Sequence, residues 1–257
     1  MNKQSSVSGK EDRATLMATY HPLADTGPQV EALRQCGRAF YDRGWSLGTS
    51  SNYSVVIDRQ PLELVITASG KDKGRLSADD FVRVDEEGNP VVPGQPAASA
   101  ETLIHVALAG RLPHIGCVLH THSVWGTLLS DLYYDDGGFF IEGYEMLKGL
   151  DGVATHEHRE WVAIFDNTQD MAKLATQIRS RLEKLDQPLR HGFLIRRHGL
   201  YTWGETVEEA RHHVEIFEFL FECVGRRLSW DGAATKTSRD GHAASAVPAP
   251  MGALGKR

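Results

Sequence analysis

Long apolar runs are missing from this chain. Nothing in its 257 residues approaches the roughly 18 consecutive apolar residues that cross a bilayer, so no membrane span is expected. An excess of basic residues is missing too. Lysine and arginine total 28 against 34 acidic residues, and the net charge of −6 argues against the basic face of a general nucleic-acid binder. Cysteine is scarce. Cys36, Cys117 and Cys223 lie far apart with no C-x-x-C pair, each inside an apolar-periodic segment, which predicts reduced thiols in a core. The first twenty residues hold no apolar stretch ahead of a small-residue cleavage site, so no secretory leader is expected. A cytoplasmic protein fits all of these absences.

The tail at 231–257 contains no aromatic residue and is rich in Ala, Gly, Ser and Pro. Such a composition cannot bury enough apolar surface to offset the entropy of ordering, which predicts a disordered tail. Residues 1–21 are polar and aperiodic, which predicts a flexible N-terminal segment. The remainder, 22–230, is long enough for one well-buried domain.

Inside that domain helical and strand patterns alternate. Pro28 can open a helix with Val30, Leu33, Gly37 and Phe40 on one face. Strands are expected at 53–57, 64–67, 82–84, 116–120, 161–165 and 193–197. Helices are expected at 99–109, 124–132 and 171–185. Thr206 and Glu209 form a T-x-x-E capping box before a helix striped by Val207, Ala210, Val214, Phe217, Leu220, Phe221 and Val224. The expected architecture is an α/β/α layered domain around a mixed or mainly antiparallel sheet.

Two of the expected strands end in histidine. The run C-V-L-H-T-H at 117–122 carries His120 and His122 two residues apart, on the same side of an extended chain. Alone, such a pair is as often a pair of surface imidazoles as a metal site. The second strand ends in R-R-H-G at 196–199, where Gly199 lets the backbone leave sharply beside His198. Three imidazoles with one position left open make a catalytic rather than a structural zinc site. His212 and His213, adjacent on a helix, cannot share one site. His156 and His158 fall in the polar run H-E-H-R-E and read as solvated, and His105 reads as packed or capped.

Three stretches could receive an anion. Gly48 to Asn52, with Thr49 among its small polar residues, precedes a strand. Ser69, Gly70 and Lys71 follow one, in a backbone nest with a cation beside it. Ser99 stands at an expected helix N-terminus. Each alone is more often an ordinary turn or cap; together, ahead of a metal motif, they predict a phosphate site. Lys73 and Arg75 read as solvated loop charges.

Taken in order, G-T-S-S-N-Y-S at 48–54, I-T-A-S-G-K at 66–71, S-A-E at 99–101, H-T-H at 120–122 and R-R-H-G at 196–199 resemble the class II aldolase/adducin family. Two further stretches, E-M-L-K-G at 145–149 and R-R-H-G-L-Y-T-W-G-E at 196–205, look like the dehydratases of that family. The resemblance implies a homotetramer of α/β/α subunits with sites near subunit boundaries, and zinc held by His120, His122 and His198. It implies Glu145 as the general acid/base. The implied activity is loss of water from a small phosphorylated sugar carrying a methylthio group, in methionine salvage. Glu101 matches a metal-binding catalytic glutamate of the family's aldolases; the dehydratases do not share that role in general, so the resemblance leaves its part open. Asn52 and Glu101 join Thr49, Ser69, Gly70, Lys71 and Ser99 as expected substrate contacts. Two alternatives stand beside this reading: an aldolase or epimerase on another sugar phosphate, with Glu101 as base, and a non-catalytic adducin-like binding module, which would have no use for three histidines.

Overall fold

The computed structural model describes residues 23–184 and 186–243, with side chains up to Trp230. The expected flexible segment at 1–21 lies outside the described residues, as does the end of the tail. Among the described residues, five α-helices are interspersed with eight strands. They are α1 (Gly27–Asp42), β1 (Asn52–Arg59), β2 (Leu62–Thr67), β3 (Phe81–Val84), α2 (Thr102–Arg111), β4 (Cys117–Thr121) and α3 (Val124–Leu132), followed by β5 (Gly138–Glu142), β6 (Arg159–Phe165), α4 (Met171–Leu182), β7 (Gly192–Ile195), β8 (Gly199–Gly204) and α5 (Val207–Ala243). A short 3-10 helix, Glu145–Gly149, follows β5.

The strands form one sheet in the order β3-β2-β1-β4-β8-β7-β6-β5. All neighbours run antiparallel except β6 and β7. Helices cover both faces, as the layered architecture requires. On one face Leu33, Phe40 and Val214 pack with Cys117 and Leu119 of β4. On the other, Ile104, Leu108, Leu174 and Ile178 pack with Val118. That two-sided cover is why β4 reads as an uninterrupted apolar run and is buried at every residue.

The amphipathic stripes behave as their periodicity predicts. Val30, Leu33, Cys36, Gly37 and Phe40 are the buried residues of α1. At the start of α5 the Glu209 N–H donates to Thr206 Oγ1 at 3.1 Å. The Glu209 carboxylate accepts from the Glu205 N–H at 2.6 Å, one residue earlier than in the usual box. This helix runs on to Ala243, so the boundary expected at residue 231 falls inside it. β5 and β8 have no counterpart in the sequence pattern.

Candidate metal centre and active site

The two histidine-terminated strands meet through β8. Residues 196–198 form the turn from β7 into β8, and β8 pairs with β4 so that Tyr201 faces His120 and Leu200 faces Thr121. Gly199 is required here: a Cβ on it would run into the Thr121 carbonyl oxygen and sit 3.1 Å from His120 Cε1. Arg197 adopts a left-handed φ of 52°. Its N–H donates to Ser130 Oγ at 2.9 Å, and its Nε lies 2.9 Å from Asp131 Oδ1, so α3 holds the turn that presents His198. The His122 N–H donates to the Trp45 carbonyl at 2.7 Å.

As a result the three imidazoles converge. Ring centroids are 4.5 Å apart for His120 and His122, 5.0 Å for His120 and His198, and 4.5 Å for His122 and His198. One ligand atom from each lies within 4.8 Å of the others, and this is the one such group among the described residues. His120 Nδ1 donates to the Leu200 carbonyl at 2.8 Å, which leaves Nε2 as a lone pair 2.7 Å from His122 Nε2. His198 Nδ1 is buried with no hydrogen-bond partner. Burial holds the pKa of His120 down to about 3 and that of His122 to about 2, so both rings are neutral. Neutral, converging nitrogens and an unsatisfied buried one fit a divalent first-row metal.

Glu101 closes the remaining side. Its Oε1 lies 3.1 Å from His198 Nε2 and its Oε2 3.4 Å from His120 Nε2. Oε2 accepts from Asn52 Nδ2 at 2.5 Å and from the Tyr201 hydroxyl at 2.8 Å. Burial opposes its ionisation, but the His198 ring and the Asn52 amide, which donate to it, outweigh burial and keep the carboxyl well below its ordinary range. Behind it runs a buried chain. His105 Nε2 donates to Asn52 Oδ1, and His105 Nδ1 accepts from Ser54 Oγ at 2.7 Å. Burial pushes His105 down to about 4, so this ring too is neutral.

Tyr201 and His105 are the residues that sequence reasoning missed in this role. Asn52, His120 and Tyr201 are register partners on three adjacent strands, and Tyr201 stacks on His120 at 4.0 Å between centroids. The signal available in the sequence was the i, i+4 spacing of Glu101 and His105 at the start of a helix.

The expected phosphate stretches come together around a residue expected to be solvated. Lys73 is only 1% exposed. Its ammonium donates to the Lys71 carbonyl at 2.7 Å and the Thr49 carbonyl at 3.4 Å, drawing the two turns together. Burial lowers it to about 8. Its charge is felt at Glu101 and His122. Arg75 is exposed, as expected. The Ser69 N–H donates to the Ala97 carbonyl at 2.9 Å, which joins this turn to the segment leading to Ser99; α2 begins at Thr102, so Ser99 lies just before the helix and not at its N-terminus as expected. Ser99 Oγ accepts from the Glu101 N–H at 3.3 Å. Gly70 stands at φ 70° with open space where a Cβ would be. Lys71 itself pairs with Asp80 at 2.8 Å, and both amide atoms of Asn52 are engaged as described.

Glu145 is elsewhere. It follows β5 at the sheet edge, with three strands between β5 and β4. Its side chain is 72% exposed, 2.7 Å from Lys148 Nζ and 3.7 Å from His156 Nδ1. Those contacts do not include the triad. His158 is not solvated as expected: its Nε2 lies 2.7 Å from the buried Glu160.

Residues 31–224 match the family described as Class II Aldolase and Adducin N-terminal domain. The chain belongs to the class II aldolase and adducin family. A methylthioribulose-1-phosphate dehydratase from Pseudomonas fluorescens (strain Pf0-1) is 51% identical over 196 residues, 76% of this chain and 90% of the relative. One from Xanthomonas campestris pv. campestris (strain B100) is 46% identical over 211 residues, 80% of this chain and 94% of the relative. Within the family, the chain therefore groups with the methylthioribulose-1-phosphate dehydratases, which are lyases. The fold is also that of an L-fuculose-1-phosphate aldolase from Thermus thermophilus, with a TM-score of 0.63, 21% identity, and coverage of 80% of this chain and 98% of that one. Among the described residues no helix is long and apolar enough to cross a membrane.

Proposed function

We propose that this chain removes water from 5-methylthioribulose 1-phosphate, giving 2,3-diketo-5-methylthiopentyl 1-phosphate, in the cytoplasm as a step of methionine salvage. The observation that carries the reading is the three-histidine cluster, set in a chain so close to curated dehydratases. Zinc is the metal we assign to His120, His122 and His198. When bound, it supplies Lewis-acid stabilisation of the negative charge that develops beside the carbon losing its proton, typically worth several kcal/mol.

The chain's own groups do the rest. Glu101, ionised and held by Asn52 and Tyr201, can take the proton from the carbon next to the ketone. Thr49, Ser69, Gly70 and Ser99, on the turns that Lys73 draws together and the segment beside them, face the phosphate with hydroxyls and backbone N–H groups. The departing hydroxyl needs a proton, which we assign to Glu145. Because Glu145 does not touch the triad of its own chain, it reaches the site of a neighbouring subunit in a homotetramer. A surface suited to that contact begins beside the metal ligands: Val124, Leu128 and Leu132 form an exposed i, i+4, i+8 stripe on α3, which starts two residues after His122.

The test is an ultraviolet assay for the diketone or its enol after zinc-loaded protein receives 5-methylthioribulose 1-phosphate. Product that disappears on chelation and returns with zinc is the expected result. One observation favours a second reading: Glu101 lies against the triad, as a base for aldol cleavage would. Cleavage products without water loss, from folded and zinc-loaded protein, would replace the first reading with that one.

A further inference from the structure

A second cluster of histidines lies under the segment that carries Glu145. We infer that His191 is a doubly donating, positively charged clamp on the Asp151 peptide, and that it positions Glu145 for the dehydration. The inference rests on the acid/base reading of Glu145.

Both ring nitrogens of His191 face acceptors. Nδ1 lies 3.0 Å from Glu160 Oε1, and Nε2 lies 2.8 Å from the Asp151 carbonyl oxygen. A carbonyl and a carboxylate only accept, and a neutral imidazole has a single N–H, so two such bonds require the imidazolium. Glu160 is buried, and a buried carboxylate keeps its charge when it is paired in this way. Asp151 is gripped through its other backbone group as well. Its N–H donates to His213 Nε2 at 3.1 Å, and His213 Nδ1 donates to the Trp203 carbonyl at 2.7 Å, so His213 is neutral.

The same cluster holds the far end of the loop. His158 Nε2 donates to Glu160 Oε2 at 2.7 Å. Between these two anchors, the His156 carbonyl accepts from the Gly143 N–H at 3.1 Å, and the His156 ring stands beside Glu145. The 3-10 helix itself is seated firmly. Leu147 and Leu150 are buried in the core, and a Cβ on Gly149 would lie 2.5 Å from Ile216 of α5. An exposed carboxylate thus stands on a base held by hydrogen bonds at both ends, which is what a group offered to another subunit's substrate needs.

The clamp has a pH window. The titratable groups around His191 are Glu160 of β6, Asp151 and His158 of the loop, and His213 of α5. Burial opposes the charge on His191, but Glu160 outweighs it and raises the pKa. Its contribution is therefore present below the ordinary histidine value and lost as pH rises through the raised one. Burial likewise opposes the charge on Glu160, and His191 and His158 outweigh it, so that contribution is lost as pH falls through a lowered carboxylate value. The clamp is closed between the two and opens on the alkaline side.

The experiment uses full-length, zinc-loaded protein with 5-methylthioribulose 1-phosphate. His191→Asn keeps a donor toward Glu160 and removes the one toward Asp151; Glu160→Gln removes the charge with little change of shape and stands in should the first variant fold poorly. The expected result is a kcat lower by roughly tenfold with KM within about twofold, unchanged zinc content, and loss of an alkaline limb in kcat that the wild type shows. Hydrogen exchange at 143–158 should rise in the variants and stay at the wild-type level in Glu145→Gln. A Glu145→Gln enzyme without turnover beside a His191→Asn enzyme with wild-type kcat and pH profile would overturn the positioning role. Turnover retained in Glu145→Gln would instead remove the reading of Glu145, and unchanged exchange at 143–158 would remove the clamp itself.

Discussion

Asn52 donates to Glu101 Oε2 at 2.5 Å while its own carbonyl oxygen accepts from His105, so the amide can point only one way. The carboxylate that closes the histidine cluster is thereby fixed from behind. Asn52→Asp would put a second carboxylate against the first and remove the donor, which raises the proton affinity of Glu101. The acid limb of the kcat/KM profile should move to higher pH, with a loss of roughly tenfold or more near neutrality. A pH series on the zinc-loaded variant checks this; an unmoved profile would show that Asn52 does not control Glu101.

His120→Ala and His198→Ala should lose zinc and turnover together. Three ligands with an open position leave no redundancy, and removing one imidazole typically costs metal affinity by orders of magnitude. Zinc content by mass spectrometry, measured beside the activity of the same sample, is the check. Full zinc occupancy in either variant would move the metal away from the triad.

Much of this centre was legible because it is local. The apolar run ending in H-x-H places His120 and His122 on one side by strand geometry alone, and a glycine after His198 marks a sharp exit. Tyr201 was not legible, because its place depends on β8 lying beside β4 in one particular register. The strand itself escaped notice: G-L-Y-T-W-G is buried at every residue and shows no polar alternation. Lys73 looked solvated because a lysine in K-D-K-G usually is. Only the closing of two distant turns offers its ammonium the carbonyls of Thr49 and Lys71. Glu145 was legible only through family resemblance, and no local pattern says that its own triad is out of reach.

Composite sites have a genetic signature. If Glu145 serves a neighbouring subunit, His120→Ala and Glu145→Gln chains, each inactive alone, should regain activity when assembled together. Random mixing places an intact triad against an intact Glu145 at about a quarter of the sites. Mixed assemblies made by co-expression or by refolding together, assayed per zinc site, give the answer. No recovery in verified mixed assemblies would remove Glu145 from the reaction, since its own chain's triad is out of its reach.

Glu218 of α5 is buried behind β4, where Thr121 Oγ1 donates to its Oε1 at 3.1 Å and Oε2 has no partner. Burial raises its pKa to about 7. A carboxyl raised in the folded state stabilises when protonated, so wild-type stability should fall as pH rises from the ordinary carboxylate value through 7. Glu218→Gln, which cannot ionise, should therefore be more stable than wild type at pH 8 by about 2–3 kcal/mol, with little difference at pH 5. Thermal unfolding at the two pH values tests the sign. An equal effect at both would mean that packing, and not charge, decides this site.

The last prediction concerns the end of the catalytic unit. Along α5, Phe217, Leu220 and Phe221 enter the core and Val224 packs against it. Gly225 allows Trp125 to lie against the helix, since a Cβ there would meet the indole ring. Beyond that point Leu228 and Trp230 are exposed. Ending the chain at Asp231 removes none of these contacts and keeps Trp230 and the apolar surface of α3. The truncated protein should keep kcat/KM within about twofold and its melting temperature within roughly 3 °C. It should also keep the size of the full-length assembly on gel filtration. Loss of folding or of assembly would mean that residues after 231 belong to the structural unit, and that the domain extends along the helix past the boundary its composition suggests.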